Sequence, residues 1–268
     1  MPKRLLKKQL VRPKWDWEQI TKTFMKNTEF EFPPVGITLI PNAGDNPNQF
    51  IPEDVPIIDR PRITICEMIQ EARIPAGYTG DYPYEKKLKV NSFAIKDPMA
   101  IRCSAGRANI GMAELHDAYK TGLRDYLLRK FSTIQAARRT REMIPRLEPE
   151  SIFAILVFPL NDAPVDPAVV VTVGSPNEIS KTITPYAFKN GGRIHAETIG
   201  VCAACSDLTA VPLIHNKPNL SLMCPGAKLF GKYPNEIGIS YPGGVFPDIA
   251  NTLEVFGKVP KWSNFKIA

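Results

Sequence analysis

Residues 151–178 read SIFAILVFPLNDAPVDPAVVVTVGSPNE. The run SIFAILVF is apolar nearly throughout, as a buried strand is, because a strand covered on both faces has no need to alternate. NDAPVDP supplies turn formers, and AVVVTV is a second β-branched run. SPNE then signals a helix start: Ser175 at the N-cap, Pro176 at the first helical position, Glu178 closing a capping box. Strand, turn, strand and helix in 28 residues place the chain in the α/β (or α+β) class, with a mixed β-sheet flanked by helices.

Working outward, the second half continues to alternate. RIHAETI (193–199), NLSLM (219–223) and EIGISY (236–241) read as strands. Cys202 to Leu213 reads as a short helix, and the last helix runs from about Pro247 to Phe256. Asn190-Gly191-Gly192 ends the helix begun at Pro176. Upstream, WDWEQITKTFMKNTEF is helical and PVGITLI is a strand. In ITICEMIQEAR, Ile65, Met68, Ile69 and Ala72 fall at i, i+3, i+4 and i+7, one buried face with Cys66 just off its centre. Residues 74–100 look like an excursion or lid. Residues 112–144 read as mainly helical, restarted by a capping box at Ser132 and Gln135 and stopped by Pro145. The expected organisation is a basic arm over 1–14 and one domain over 15–268, helix-rich over 15–148 and alternating over 149–268.

The 268 residues carry 44% hydrophobic and 23% charged side chains, the balance of a soluble globular protein. No secretory signal is visible, and the apolar run IFAILVFPL is too short to span a membrane as a helix, so the expectation is a cytoplasmic protein without a membrane span. The net charge is +7, but residues 1–14 hold six basic residues and no acid, which leaves the rest near neutrality. The arm reads as solvated or as clasping a neighbouring subunit of a homo-oligomer, and no specific nucleic-acid partner is expected. Arg138, Arg139 and Arg141 read as a solvated or subunit-facing surface.

Familiar catalytic signatures fail. GRANIGMA has the spacing of a phosphate loop, but Met112 and Ala113 stand where a lysine and a hydroxyl are needed. No dinucleotide fingerprint follows a strand, and neither a nucleophile elbow nor a zinc-protease motif is present. Gly174 and Ser175 could offer backbone amides to an anionic small molecule, although helix capping accounts for the same residues. The three histidines, His116, His195 and His215, are too few for a histidine-rich metal site.

Five cysteines remain: Cys66, Cys103, Cys202, Cys205 and Cys224. In a reducing compartment they stay thiols or bind metal. Three readings stay open: buried thiols packing as small hydrophobes, an iron–sulfur or other metal site, and a redox dithiol at Cys202 and Cys205. A zinc site would draw on Cys202, Cys205, Cys224 and His215. A cluster would accept ligands far apart in sequence, and Gly or Pro turns near Cys103, Cys202 and Cys224 suit the close approach of backbone. The Ala-Ala spacer of Cys202-Ala-Ala-Cys205 gives no support to the redox reading.

Several blocks in order resemble the domain of unknown function 169 family: PVGITLIP, ICEMIQEAR, CSAGRANIGM, FSTIQAARR, FPLNDAPVDPAVVVTVGSPNEI, CSDLTAVPL and NLSLMCPGAK. The last is similar to the family's Cys-x-Gly-x-Arg block, with Lys228 in place of arginine. The resemblance implies that Cys66, Cys103, Cys205 and Cys224 are the cofactor-binding, metal-ligating set and that Cys202 is extra. Four thiolates are the number that a 4Fe-4S cluster takes. The expectation is an iron–sulfur protein of anaerobic metabolism, an electron carrier or the cluster-bearing part of an oxidoreductase with a redox partner protein. Arg102, Arg107 or Lys228 would offset the cluster's charge. The alternatives are a non-redox protein binding an anionic small molecule, and the zinc or thiol redox protein. Residues 78–95 look like an insertion relative to the family.

Overall fold

The structure is a computed structural model and describes residues 13–188, 191–229, 233 and 235–256. Residues 1–12, most of the expected basic arm, and Asn190 of the expected helix stop lie outside these. Lys14, the last residue assigned to the arm, donates its backbone N–H to both oxygens of the Asp166 carboxylate at 3.0 Å.

Six strands form one sheet: β1 (Val35–Pro41), β2 (Phe93–Ile95), β3 (Ile152–Pro159), β4 (Val169–Gly174), β5 (Asn219–Ser221) and β6 (Ile237–Pro242), in the order β2-β3-β1-β4-β6-β5. Every ladder is antiparallel. Parallel pairing among the described residues is confined to the isolated bridges Ile57 to Ala94 and Ile63 to Ile101. The helix-flanked α/β (or α+β) expectation holds, on its α+β side, but the sheet expected to be mixed has antiparallel ladders throughout the described residues. The opening stretch is β3, turn, β4 and helix. Ser175 and Glu178 do form a capping box, with Ser175 N–H donating to Glu178 at 2.6 Å and Glu178 N–H donating to the Ser175 hydroxyl at 3.3 Å.

All seven residues of β1 are buried, which follows from its central place between β3 and β4 and from helices on both faces. One face carries Ile37, Leu39, Ile155, Val157, Val169 and Val171. It packs against α2 (Ile65–Arg73), where Ile65, Met68, Ile69 and Ala72 are all buried as their spacing requires. The opposite face, with Val170, Ile239 and Tyr241, is covered by α1 (Trp17–Lys26), α7 (Pro176–Phe188) and α10 (Phe246–Phe256). Burying each such Leu, Ile or Val side chain contributes roughly 1.5–3 kcal/mol, so the sheet faces dominate stability. Gly36 pairs with Phe158, whose ring lies where a side chain at position 36 would stand.

On the first face, α2 is joined by α3 (Ser104–Asn109), three short helices α4 (Asp117–Lys120), α5 (Leu123–Leu127) and α6 (Ile134–Met143), and the segment 202–229. That segment contains a π-helix (Ala203–Ala210), α8 (Val211–His215) and α9 (Pro225–Leu229). Three expectations change. The helical stretch 112–144 is broken into three pieces, and the last starts one residue later than read: Thr133, not Ser132, is the N-cap, its hydroxyl accepting from Ala136 N–H at 3.1 Å. RIHAETI is not a strand. At Glu197 its backbone is served by the side chain of Asn219, which accepts from Glu197 N–H and donates to Glu197 C=O, in place of a ladder. Residues 74–100 do not form a free lid. Tyr84 donates to buried Glu71 at 2.6 Å, Tyr82 meets Arg73 and Glu236, and the segment ends in edge strand β2.

Candidate functional site

All five cysteines line one cavity of about 770 Å³ on the first face of the sheet. They arrive from four local devices. Cys66 is the second residue of α2, just off its core-facing stripe. Cys103 is the N-cap of α3, and its sulfur accepts from Gly106 N–H at 3.3 Å. Cys224 immediately precedes α9, and Cys202 and Cys205 flank the start of the π-helix. Cys202 and Cys205 are buried; Cys66, Cys103 and Cys224 are half-buried.

The π-helix decides the arrangement. Cys202 caps it in the left-handed region at φ 61°, uncommon for a residue with a side chain and a conformation that only surrounding packing sustains. The first N–H groups of a helix have no partner inside it. Here they meet sulfur: Ala203 N–H donates to Cys224 at 3.3 Å, and Ala204 N–H donates to Cys66. The Ala-Ala spacer, silent as a side-chain motif, thus serves two distant thiols through its backbone. Alanine leaves no bulk between those amides and the cavity, and wide π-turns recur where function requires an altered helix.

The remaining sulfurs also face N–H donors. Asn109 Nδ2 lies 3.3 Å from Cys205 and also serves Cys202. Arg141 Nη1 lies 2.9 Å from Cys202. Arg141 is buried, stacked 4.6 Å over the Tyr119 ring and tied through Nε to Asp125 at 2.5 Å; Lys130 Nζ reaches the other oxygen of that carboxylate at 3.1 Å. Tyr119, Lys130 and Arg141 are all part of the cavity wall.

Four sulfurs fall into two hydrogen-bonded pairs. In one, Cys205 donates to Cys202; with Arg141 beside it, Cys202 is held well below the usual thiol range, while the pairing and burial push Cys205 up. In the other, Cys66 donates to Cys224, which lowers Cys224 and, together with burial, raises Cys66. Burial raises Cys103, which also feels the charge of Cys202 and Cys224.

The chain matches the model of the domain of unknown function 169 family, described as uncharacterised ArCR, over residues 23–252. The chain belongs to this family. It is also similar to the uncharacterized protein MJ0308 of Methanocaldococcus jannaschii, 28% identical over 211 residues that cover 78% of this chain and 83% of that protein. No solved structure matches.

Within this family member, the expected ligands Cys66, Cys103, Cys205 and Cys224 share one cavity, and Cys202 shares it with them. Among the described residues, no three His, Cys, Asp or Glu side chains are drawn together as the ligands of a metal ion would be; the sulfurs line the cavity as two pairs and the single Cys103. His215 is elsewhere, its Nε2 3.3 Å from Glu197. Of the expected counter-charges, Arg102 lines the cavity but is engaged by Glu67 at 3.0 Å. Arg107 bonds the Pro98 carbonyl, and neither it nor Lys228 contributes to the wall. The cations that do stand beside the sulfurs are Lys130 and Arg141, and Arg141, expected at the surface with Arg138 and Arg139, is instead buried. The amides at Gly174 and Ser175 are not open to an anion as expected, because Glu178 occupies Ser175 N–H. Among the described residues, no helix is long and apolar enough to cross a membrane.

Proposed function

We propose that the cavity holds an iron–sulfur cluster, a 4Fe-4S centre bound by Cys66, Cys103, Cys205 and Cys224, and that the protein is an electron carrier or the cluster-bearing component of an oxidoreductase in anaerobic metabolism. One observation carries the reading: five thiols from four separated parts of the chain line one cavity, and each sulfur has an N–H donor. A lone buried cysteine packs as a hydrophobe and needs no donor. N–H groups aimed at sulfur stabilise thiolates and tune a cluster's potential.

The size of the cavity that the sulfurs line, about 770 Å³, also supports it. Thiolates on one zinc, each at about 2.3 Å, crowd a single point. Thiolates on different irons of one cluster stand around a larger object. Such a centre supplies one-electron transfer. The chain supplies the rest: Arg141 and Lys130 offset negative charge, and Ile65, Val201 and Pro225 in the wall limit water. Cys202, taken by Arg141, is the thiol left over.

A second reading, a thiol redox protein, draws on the close Cys202–Cys205 contact. Purification without oxygen separates the two. The cluster reading expects brown protein with broad visible absorption and roughly four irons per chain. Colourless protein that takes up no iron on reconstitution, and that titrates instead as a dithiol, would defeat it. Stoichiometric zinc would defeat it in favour of a zinc site.

A further inference from the structure

The helices beside the cavity expose a surface that the fold does not explain. In α5, Asp125 is the buried residue; Leu123, Leu127 and the following Leu128 are 42%, 64% and 47% exposed. In α6 only Ala137 and Arg141 are buried, and Ile134 is exposed. The two helices are in direct contact: position 122 at the head of α5 packs against the carbonyl of Ile134 and the backbone N–H of Arg138. Exposed apolar side chains therefore stand on two helices in contact. Arg124, Arg129, Arg138 and Arg139 are exposed on the same two helices and the turn between them. Residues 123–146 carry seven basic and two acidic side chains in a chain whose other charges nearly cancel.

Exposed leucines and arginines interspersed on two touching helices have the composition of a protein-binding patch. The charge of the chain's own ends does not suit this face. Residues 1–12 carry five basic side chains and no acid, and residues 257–268 carry three lysines and no acid, so neither segment complements an arginine-rich face. A second copy using the same face across a two-fold axis would set arginine against arginine. The fitting occupant is acidic. A nucleic acid would favour a continuous cationic track with stacking aromatics; here one exposed aromatic, Tyr126, stands among three exposed leucines and Ile134, which favours a protein.

The position supplies the purpose. Lys130 and Phe131, in the turn that joins α5 to α6, are also part of the cavity wall. Whatever docks on this face is brought against the sulfur cavity through one short turn. We propose that the α5–α6 face is the docking surface for a small acidic electron-carrier protein that exchanges one electron at a time with the centre in the cavity. This rests on the cluster reading above and names the partner of that same site. The step is balanced by the carrier itself: the electron gained by one centre is the electron lost by the other, and no bond is made or broken.

The test compares the wild type with an Arg124→Glu/Arg139→Glu variant and with Leu127→Ser, all purified without oxygen. A reduced small acidic ferredoxin is the macromolecular reductant and dithionite the small one. Stopped-flow bleaching of the visible band should slow roughly tenfold or more for the ferredoxin in the charge-reversed variant and lose its salt dependence, since steered encounter contributes factors of that size. Dithionite should reduce all three proteins equally. Leu127→Ser should weaken ferredoxin binding with little change in salt dependence. Equal rates with ferredoxin for wild type and variants would overturn the proposal. So would a wild-type dimer that the variants convert to monomer, or an RNA oligonucleotide that binds this face while ferredoxin does not. If the protein proves to hold no cluster, ferredoxin binding is measured by titration instead. Binding lost in the variants would then uphold the surface while the cluster reading fails, and no binding by the wild type would sink both.

Discussion

Arg141 joins two buried acids of different kinds: its Nη1 lies 2.9 Å from the sulfur of Cys202, and its Nε lies 2.5 Å from Asp125. Exposed ion pairs contribute about 0–1 kcal/mol. This one is buried on both sides, so losing a partner leaves the other uncompensated. Arg141→Met should therefore destabilise the protein by about 3 kcal/mol, softened by Lys130, which keeps one oxygen of Asp125 paired. Adding Asp125→Leu should recover part of that loss. Urea unfolding of the single and double variants measures both, and additive losses would show that the pair is not a unit.

The same pair fixes a pH dependence. Burial raises the Asp125 carboxyl, but the hydrogen bond and charge of Arg141 and the charge of Lys130 outweigh it and hold the group below its ordinary value of 3.8. A depressed carboxyl contributes stability that is complete above its unfolded value and is lost as pH falls through the folded value. The stability gap between wild type and Asp125→Asn should be constant from pH 7 to about 5 and close below about pH 4. A gap that persists unchanged at pH 2.5 would contradict this origin.

The sheet is readable in the sequence because its central strands are buried on both faces, so β1, β3 and β4 announce themselves as nearly continuous apolar runs. The α2 stripe and the capping box at Ser175 are equally local signals. The cavity is not local. Cys66 and Cys224 meet across 158 positions, and nothing in either block states that α2 and the π-helix will pack together. Ala203 and Ala204 act through backbone N–H groups, which every residue but proline possesses, so their identity carried no warning. Arg141 and Asp125 sit in charge-rich helices where surface is the natural reading. The only local hint is that Ala137 and Arg141 are four apart, one face of α6, and a lone alanine is a faint mark of burial. RIHAETI misleads because its partner is a single side chain, Asn219, rather than a strand.

A test of the sheet itself comes from Gly36. A methyl group there would overlap the ring of its cross-strand neighbour Phe158, both lying in a core with no free volume to yield. Gly36→Ala should cost about 1–3 kcal/mol, the range for overpacking, although alanine is the better residue in an unstrained strand. Phe158→Leu should rescue part of the loss when combined with Gly36→Ala. Thermal unfolding of the double variant decides it; no rescue would place the strain elsewhere.

The two members of the Cys202-Ala-Ala-Cys205 doublet should behave differently. A cubane centre takes four thiolates and the cavity offers five. Cys66, Cys103 and Cys224 come from separate elements, so the doublet has one ligand to give. Cys202 is committed to Arg141 by a 2.9 Å contact, in a left-handed turn that packing must hold. Cys205 faces Asn109, a neutral donor rather than a cation. Cys205→Ser should therefore lose most of the bound iron, because serine holds iron poorly near neutral pH. Cys202→Ser should keep the iron and the visible spectrum, and should lower stability by about 1–3 kcal/mol through the altered partner of Arg141. Iron, sulfide and visible absorption of each variant, purified without oxygen beside the wild type, settle the assignment. Iron lost from Cys202→Ser and kept in Cys205→Ser would exchange the two roles. Equal loss in both would mean that the doublet acts as a unit, as a zinc or dithiol site requires.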